Sequence, residues 1–181
     1  MKNCLFIGSF NPITKAHKEI VLDLLNKEIV DVIYFLPVNN QEKTNLIELE
    51  KRIEMINLVI DNKNIKVLDI NNYNNNLTFN TNILKKIDKS ITHLIIGDDL
   101  LLKLNTFIDY EFILKNYYLI VINRENNIYE LINKYYYNYK DKFIIINKKY
   151  KASSTKARDT KSIKYLDKKV LEYIRKNNLY N

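Results

Sequence analysis

The sequence predicts an α/β fold, a single-domain, doubly wound and mostly parallel Rossmann-like sheet, and three observations carry that expectation. Short apolar runs alternate with segments of helical periodicity along the whole chain. The runs are nearly continuous in Ile, Leu, Val and Phe, as strands buried on both faces are. The third observation is punctuation: the chain has two glycines and two prolines, against roughly 7% Gly and 5% Pro in average proteins. All four follow an apolar run: Gly8 and Pro12 after Cys4 to Ile7, Pro37 after Val32 to Leu36, and Gly97 after Leu94 to Ile96. In open α/β sheets the ligand crevice lies at the carboxyl ends of the strands, so these positions mark it.

The first strand ends at Gly8, the chain turns through Asn11 and Pro12, and a helical pattern opens near Lys15. A helix that opens directly after a turn offers unpaired N–H groups and a positive dipole end, which suits a triphosphate. His17, in its first turn, can donate to a phosphate oxygen, and Thr14 can serve as N-cap or phosphate donor. The alternative is a plain strand-to-helix turn in which His17 packs and Asn11 makes an Asx-turn.

The helix is expected over Lys15 to Lys27, with Ile20, Val21, Leu24 and Leu25 on one face, and Val32 to Leu36 is the second strand. A polar loop, residues 39–45, precedes a helix over Glu48 to Asp61 with Leu49, Ile53, Ile56, Val59 and Ile60 at helical spacing. Ile65 to Ile70 reads as the third strand and residues 71–76 as an Asn-rich loop. A helix opens near Thr78, a reasonable N-cap, and runs to about Lys89. The fourth strand, Thr92 to Ile96, delivers Gly97, Asp98 and Asp99 to the crevice; glycine permits close backbone approach, and a carboxylate beside it can accept from ribose hydroxyls. As plain structure the two acids would begin the next helix, where they favour its dipole. His93, at the other end of that strand, reads as structural. Tyr117 to Ile122 and Phe143 to Ile146 are the last strands, with a tyrosine-rich helix over Ile128 to Tyr137 between them. After them, hydroxyls at Ser153 and Ser154 stand at a helix start with Arg158 about one turn later, an arrangement able to clamp β- and γ-phosphates. Val170 to Arg175 is a short amphipathic helix.

At 181 residues the chain is most simply one domain, 1–181, large enough to bury about 70% of its unfolded surface. No apolar run is long enough to cross a bilayer, and no signal peptide is evident, so a cytoplasmic location is expected. Cys4 is the sole cysteine, which excludes an internal disulfide or a Cys-based zinc site; inside the first strand it reads as a small buried hydrophobe. The net charge of +8 suits nucleic acid, a membrane surface or an anionic small substrate. Asn, Lys, Ile and Tyr are enriched in every segment, in the manner of a codon bias, and much of the charge is read as bystander.

The stretch Gly8-Ser9-Phe10-Asn11-Pro12-Ile13-Thr14-Lys15-Ala16-His17 resembles the Gly-(Ser/Thr)-Phe-(Asp/Asn)-Pro-x-(His/Thr)-x-(Gly/Ala)-His signature of the nucleotidyltransferase superfamily, above all the adenylyltransferases that make NAD precursors. Further stretches are similar to those enzymes: Pro37, Lys43 and Arg52-Ile53-Glu54-Met55; Leu77-Thr78-Phe79-Asn80-Thr81; Ile96-Gly97-Asp98-Asp99-Leu100; and Ala152-Ser153-Ser154-Thr155-Lys156-Ala157-Arg158. Their tryptophan, which stacks on the substrate pyridine, is replaced here by Phe107. The resemblance implies catalysis by His17, Thr14, Lys43 and Arg158, and ATP or phosphate binding by Gly8, Ser9, Phe10, Asn11, Ser153 and Ser154. It implies ribose or mononucleotide contacts by Thr78, Gly97, Asp99 and Phe107. It makes Lys43 and Arg52 candidate active-site cations; for Lys43 a solvated loop lysine, for Arg52 a surface helix arginine, and for Phe107 a core aromatic are the alternatives.

The implied reaction is adenylyl transfer from ATP, with Mg²⁺ bridging phosphate oxygens and no metal site of the protein's own, to nicotinate mononucleotide, giving deamido-NAD and pyrophosphate. Nicotinamide mononucleotide and phosphopantetheine are alternative acceptors. The absence of G-x-G-x-x-G and Walker A strings argues against a dehydrogenase or a P-loop NTPase. The expected partners are ATP and a pyridine mononucleotide, without nucleic acid or membrane; assembly into a homo-oligomer is left open. A rival of another class is a basic, non-catalytic RNA-binding module on the same fold.

Overall fold

The computed structural model of the protein describes residues 1–39, 45–68, 80–124, 127–150 and 154–180. Its strands are β1 (Asn3–Gly8), β2 (Val32–Pro37), β3 (Ile65–Val67), β4 (Ile91–Gly97), β5 (Tyr118–Ile122) and β6 (Phe143–Ile146). They form one parallel sheet in the order β3-β2-β1-β4-β5-β6. The order runs outward from β1 in one direction and from β4 in the other, so the topological switch point falls between those two strands.

Side chains alternate across each strand, and each strand therefore feeds two cores. Cys4, Phe6, Ile33, Phe35, Ile95 and Ile120 face the layer of α1 (Lys15–Asn26), α2 (Leu49–Asn57), α7 (Ser154–Thr160) and α8 (Lys168–Lys176). Leu5, Ile7, Leu36, Leu94, Ile96, Leu119 and Val121 face α3 (Thr81–Lys86), α4 (Asp98–Lys103), α5 (Tyr110–Asn116) and α6 (Ile128–Tyr135). After β6 the chain thus crosses back to the face that carries α1. This return brings the late serine, threonine and arginine stretch against the early turn.

Several boundaries differ from expectation. The helix expected from Thr78 starts at Thr81 with Asn80 as its cap, Oδ1 accepting from Ile83 N at 3.2 Å; Thr78 itself lies outside the described residues. On α2 the inward face carries Leu49, Arg52, Met55 and Ile56, not Ile53. The stripe is rotated because Arg52 turns inward to bonds that only a guanidinium can supply. α5 was not anticipated; it follows Asp109, whose φ of 60° is left-handed. Cys4 is wholly buried, and burial pushes its thiol far up, so it is no nucleophile. Among the described residues no helix is long and apolar enough to cross a membrane.

Candidate active site

β1 pairs with β2 so that Gly8 lies opposite Pro37, and with β4 through Phe6 opposite Ile95. Carried forward, the second register brings Gly8 level with Gly97. The chain's only glycines therefore flank the switch point. Gly8 is needed for room: a Cβ there would stand 3.0 Å from Cζ of Phe10. That ring is 2% exposed and meets Phe6, Phe35 and His17 edge-on at 5.0 to 5.2 Å. Phe10, at a φ of 43°, is thus a wedge driven into the core beneath the turn, and what the turn presents above it is backbone.

Asn11 is the hub of the turn and is 1% exposed. Its amide Nδ2 donates to Asn45 O at 3.0 Å, and its Oδ1 accepts from Ile47 N at 3.4 Å and Tyr180 Oη at 2.8 Å. Its backbone carbonyl accepts from Arg158 Nη1 at 2.6 Å. The Asn11–Pro12 peptide is cis. Ser154 Oγ donates to Pro12 O at 3.0 Å, so the two motifs, separated by more than 140 residues, meet on consecutive residues of one loop.

Thr14, extended at φ −123° and ψ 166°, is the N-cap of α1, and its backbone N–H donates to His17 Nδ1 at 3.0 Å. The Thr14 hydroxyl lies 3.0 Å from the same nitrogen. Because the backbone amide can only donate, Nδ1 is the acceptor and the proton of the neutral ring resides on Nε2. His17 is half-buried and stands in the first turn of α1, beside Phe6 and Phe10. The arrangement can offer one oriented N–H donor and one guanidinium to an anion above the turn, while the first helical amide, Lys15 N–H, is already bonded to Tyr165 O at 2.9 Å. Arg158 also reaches Thr155 Oγ1 at 3.4 Å. Lys43 and Ser153, expected in the same phosphate site, and Thr78 lie outside the described residues.

Across the switch point, Gly97 also serves proximity, since its own φ of −80° suits any residue. A Cβ there would stand 2.2 Å from Asp99 Oδ1 and 3.6 Å from Arg124 Nη2. The exposed Asp99 carboxylate folds back over Gly97, at the place expected for a ribose contact. Its neighbour Asp98 is buried and structural: Oδ1 accepts from Asp99 N and Oδ2 from Arg124 N, both at 3.1 Å. Asp98 thereby ties the end of β4 to the end of β5 and brings the Arg124 guanidinium near Gly97, a cation absent from the residues expected in the site. Phe107 caps a 3₁₀ turn over Leu104–Thr106 and is partly buried against the second core.

Arg52 is neither a surface residue nor an exposed site cation: it is wholly buried. Its Nε donates to Ile47 O at 3.1 Å, its Nη1 to Ser9 O at 2.8 Å and Val38 O at 3.0 Å, and its Nη2 to Asn39 Oδ1 at 2.5 Å. Burial holds its pKa below the usual arginine range, yet a guanidinium stays charged. It staples the loops that follow β1 and β2, and Ser9, 8% exposed, is one of its anchors. The signal that could have found it is an arginine at the register of Met55 and Ile56 on an otherwise apolar helix face.

The sequence matches a family model described as cytidylyltransferase-like over residues 5–160. It is 31% identical to a protein of Caldicellulosiruptor saccharolyticus named "Probable nicotinate-nucleotide adenylyltransferase", the alignment covering 99% of each chain. A phosphopantetheine adenylyltransferase of Clostridium botulinum is 36% identical over 75 residues, 39% of this chain and 44% of that one. Among solved structures, a Plasmodium falciparum nicotinic acid mononucleotide adenylyltransferase complexed with NaAD superposes with a TM-score of 0.73. That pair shares 22% identity and covers 99% and 98% of the two chains, a likeness of fold.

Proposed function

The chain belongs to the cytidylyltransferase-like family, and we propose that it transfers the adenylyl group of ATP to nicotinate mononucleotide, releasing pyrophosphate and forming deamido-NAD. The observation that carries this reading is the meeting of Ser154 and Arg158 with Pro12 and Asn11 directly before a helix whose first turn holds His17. Such a cluster of donors at the switch point of the sheet suits a polyphosphate.

The 5′-phosphate of the mononucleotide attacks the α-phosphorus of ATP; a P–O bond forms to the incoming phosphate as the bond to the pyrophosphate oxygen breaks. No covalent enzyme intermediate is needed, so the site acts by alignment and by stabilising developing charge. His17 donates from Nε2 to a phosphate oxygen, its ring held by the Thr14 amide. Arg158, seated on the Asn11 carbonyl, neutralises charge on the departing pyrophosphate, and Ser154, whose hydroxyl proton goes to Pro12 O, holds the turn beside it; Lys43 and Ser153 are assigned to the same side on sequence alone. Asp99 accepts from ribose hydroxyls above Gly97, and Thr78 and Phe107 are assigned to the mononucleotide. Mg²⁺ would arrive with the triphosphate and would supply charge neutralisation there, and the Asp99 carboxylate and the Thr14 and Ser154 hydroxyls are oxygen groups that could meet its waters.

Pyrophosphate release is measured with ATP and Mg²⁺ and, in parallel, nicotinate mononucleotide, nicotinamide mononucleotide or phosphopantetheine. The expected result is a preference for the nicotinate form. Turnover only with phosphopantetheine would overturn the acceptor, and silence with all three would overturn the reaction.

A further inference from the structure

Beyond α8 the chain makes two left-handed turns, at Asn178 (φ 49°) and Tyr180 (φ 62°). Side chains enter that region only when surrounding contacts demand it. Here two contacts do. Leu179 is sunk into the first core at 6% exposure, with its N–H on Ile174 O at 3.0 Å, and Tyr180 is thrown across the signature loop onto Asn11.

We propose that Tyr180 is a positioning residue for adenylyl transfer: its hydroxyl, donating to Asn11 Oδ1 at 2.8 Å, holds the Asn11 loop in the shape that Arg158 and the ATP phosphates need. The proposal rests on the reaction assigned above. Asn11 joins three segments, the loop before α2 through Asn45 and Ile47, α7 through Arg158, and the segment after α8 through Tyr180. Without the tyrosine hydroxyl, the buried Oδ1 keeps, among the described residues, only the Ile47 bond, whose 3.4 Å is at the limit of a useful hydrogen bond. A nearly orphaned buried acceptor pulls its residue toward other partners, and Asn11 carries the carbonyl on which Arg158 is seated. Burial also pushes the Tyr180 hydroxyl well above its ordinary range, against the pull of Arg158 and Arg52, so it remains an O–H donor at working pH.

Tyr180→Phe keeps the ring and removes only the donor. The expected result is a KM for ATP raised about tenfold, with the KM for nicotinate mononucleotide within about twofold and the melting temperature lowered by only a few degrees. Amide exchange at Ile47 should accelerate in the same variant. An unchanged KM for ATP overturns the proposal; so does an equal weakening of both substrates, which is the mark of a merely structural role. Calorimetric binding of a non-hydrolysable ATP analogue separates this from the reaction itself. If the unaltered protein turns over none of the acceptors, the assigned reaction fails, while weaker analogue binding by Tyr180→Phe still supports the latch and equal binding still overturns it.

Discussion

The chain has two histidines, and they stand at opposite ends of the sheet. His17 lies past the carboxyl end of β1, half-exposed, and its Nδ1 is held by a main-chain amide. His93 lies near the amino end of β4, 7% exposed, stacked on Tyr118 at 5.1 Å and 20°, and its Nδ1 faces the Thr92 hydroxyl at 2.8 Å. A hydroxyl can donate or accept, so the second ring's tautomer is not dictated, whereas an N–H leaves the first ring one choice. The surroundings differ in the same sense. At the carboxyl edge polar groups hold distant segments together around the proposed phosphate site; at the amino edge a ring packs against its neighbours. The same side chain is a directed donor at one end and a packing element at the other.

The sharpest way to break this contrast is to delete each ring. His17→Ala should lower turnover by about 10²–10³-fold, the cost of one preorganised donor to developing charge. His93→Ala should leave turnover within about twofold and show its effect in melting temperature, since it removes a packed aromatic surface. His17→Gln, with an amide donor near the place of Nε2, should retain more activity than His17→Ala. Equal losses of turnover in the two alanine variants, read by steady-state pyrophosphate release, would erase the distinction between the ends.

Arg52 tests whether the carboxyl edge is held by its buried charge. Arg52→Ala removes the donor to four oxygens at once, two of them buried and two partly buried, and should cost about 3 kcal/mol of folding stability. The loss should appear in urea denaturation with His17 untouched. Arg52→Lys, a single point donor in place of a fork, should recover only part of it. A near-neutral Arg52→Ala would mean that the loops after β1 and β2 hold their shape without the staple.

Much of this was legible in the sequence, for identifiable reasons. The strands were visible because burial on both faces leaves unbroken apolar runs. The crevice was visible because a chain so poor in glycine keeps Gly8 and Gly97 where Phe10 and Asp99 leave no room for a Cβ. The late motif's approach to the early one was legible only through resemblance, because it depends on α7 and α8 returning to the α1 face. Three features were not legible. Arg52 reads as a site cation or a surface residue because helical periodicity assigns charge outward, and three of its four partners are main-chain carbonyls, which every residue has. Asp98 and Asp99 are adjacent acids, and nothing in their order says that the first is spent on Arg124 N. Tyr180 lay among many tyrosines, and only two left-handed residues in succession around Leu179 turn it onto Asn11.

Gly97→Ala sharpens the comparison within the crevice, between its Gly8 side and its Gly97 side. The added Cβ would stand 2.2 Å from Asp99 Oδ1, the far end of a flexible exposed side chain, so the fold can yield by swinging the carboxylate away. If Asp99 holds the ribose, the KM for the mononucleotide should rise about tenfold while the KM for ATP and the melting temperature change little. The Gly8 side behaves otherwise: its added Cβ meets a fully packed ring at 3.0 Å, and Gly8→Ala should cost stability as well as turnover. A Gly97→Ala enzyme with an unaltered mononucleotide KM would remove Asp99 from the site.

The smallest effect belongs to the amino edge and is one of pH. Burial, then Lys2 and Lys142, hold the His93 pKa below the ordinary histidine range, with Asp31 opposing them. In the unfolded chain the ring titrates near ~6.5. The folded ring therefore binds fewer protons than the unfolded one below that value, and stability rises with pH across the interval. Its contribution is complete above about pH 6.5 and is lost as pH falls toward the depressed folded pKa. Melting temperature measured between about pH 7.5 and 5 should fall for the unaltered protein and fall less for His93→Gln, which cannot titrate. If the two curves run parallel, protonation of His93 is not resisted by its surroundings, and the amino edge is less closed around its histidine than the geometry of Tyr118 and Thr92 indicates.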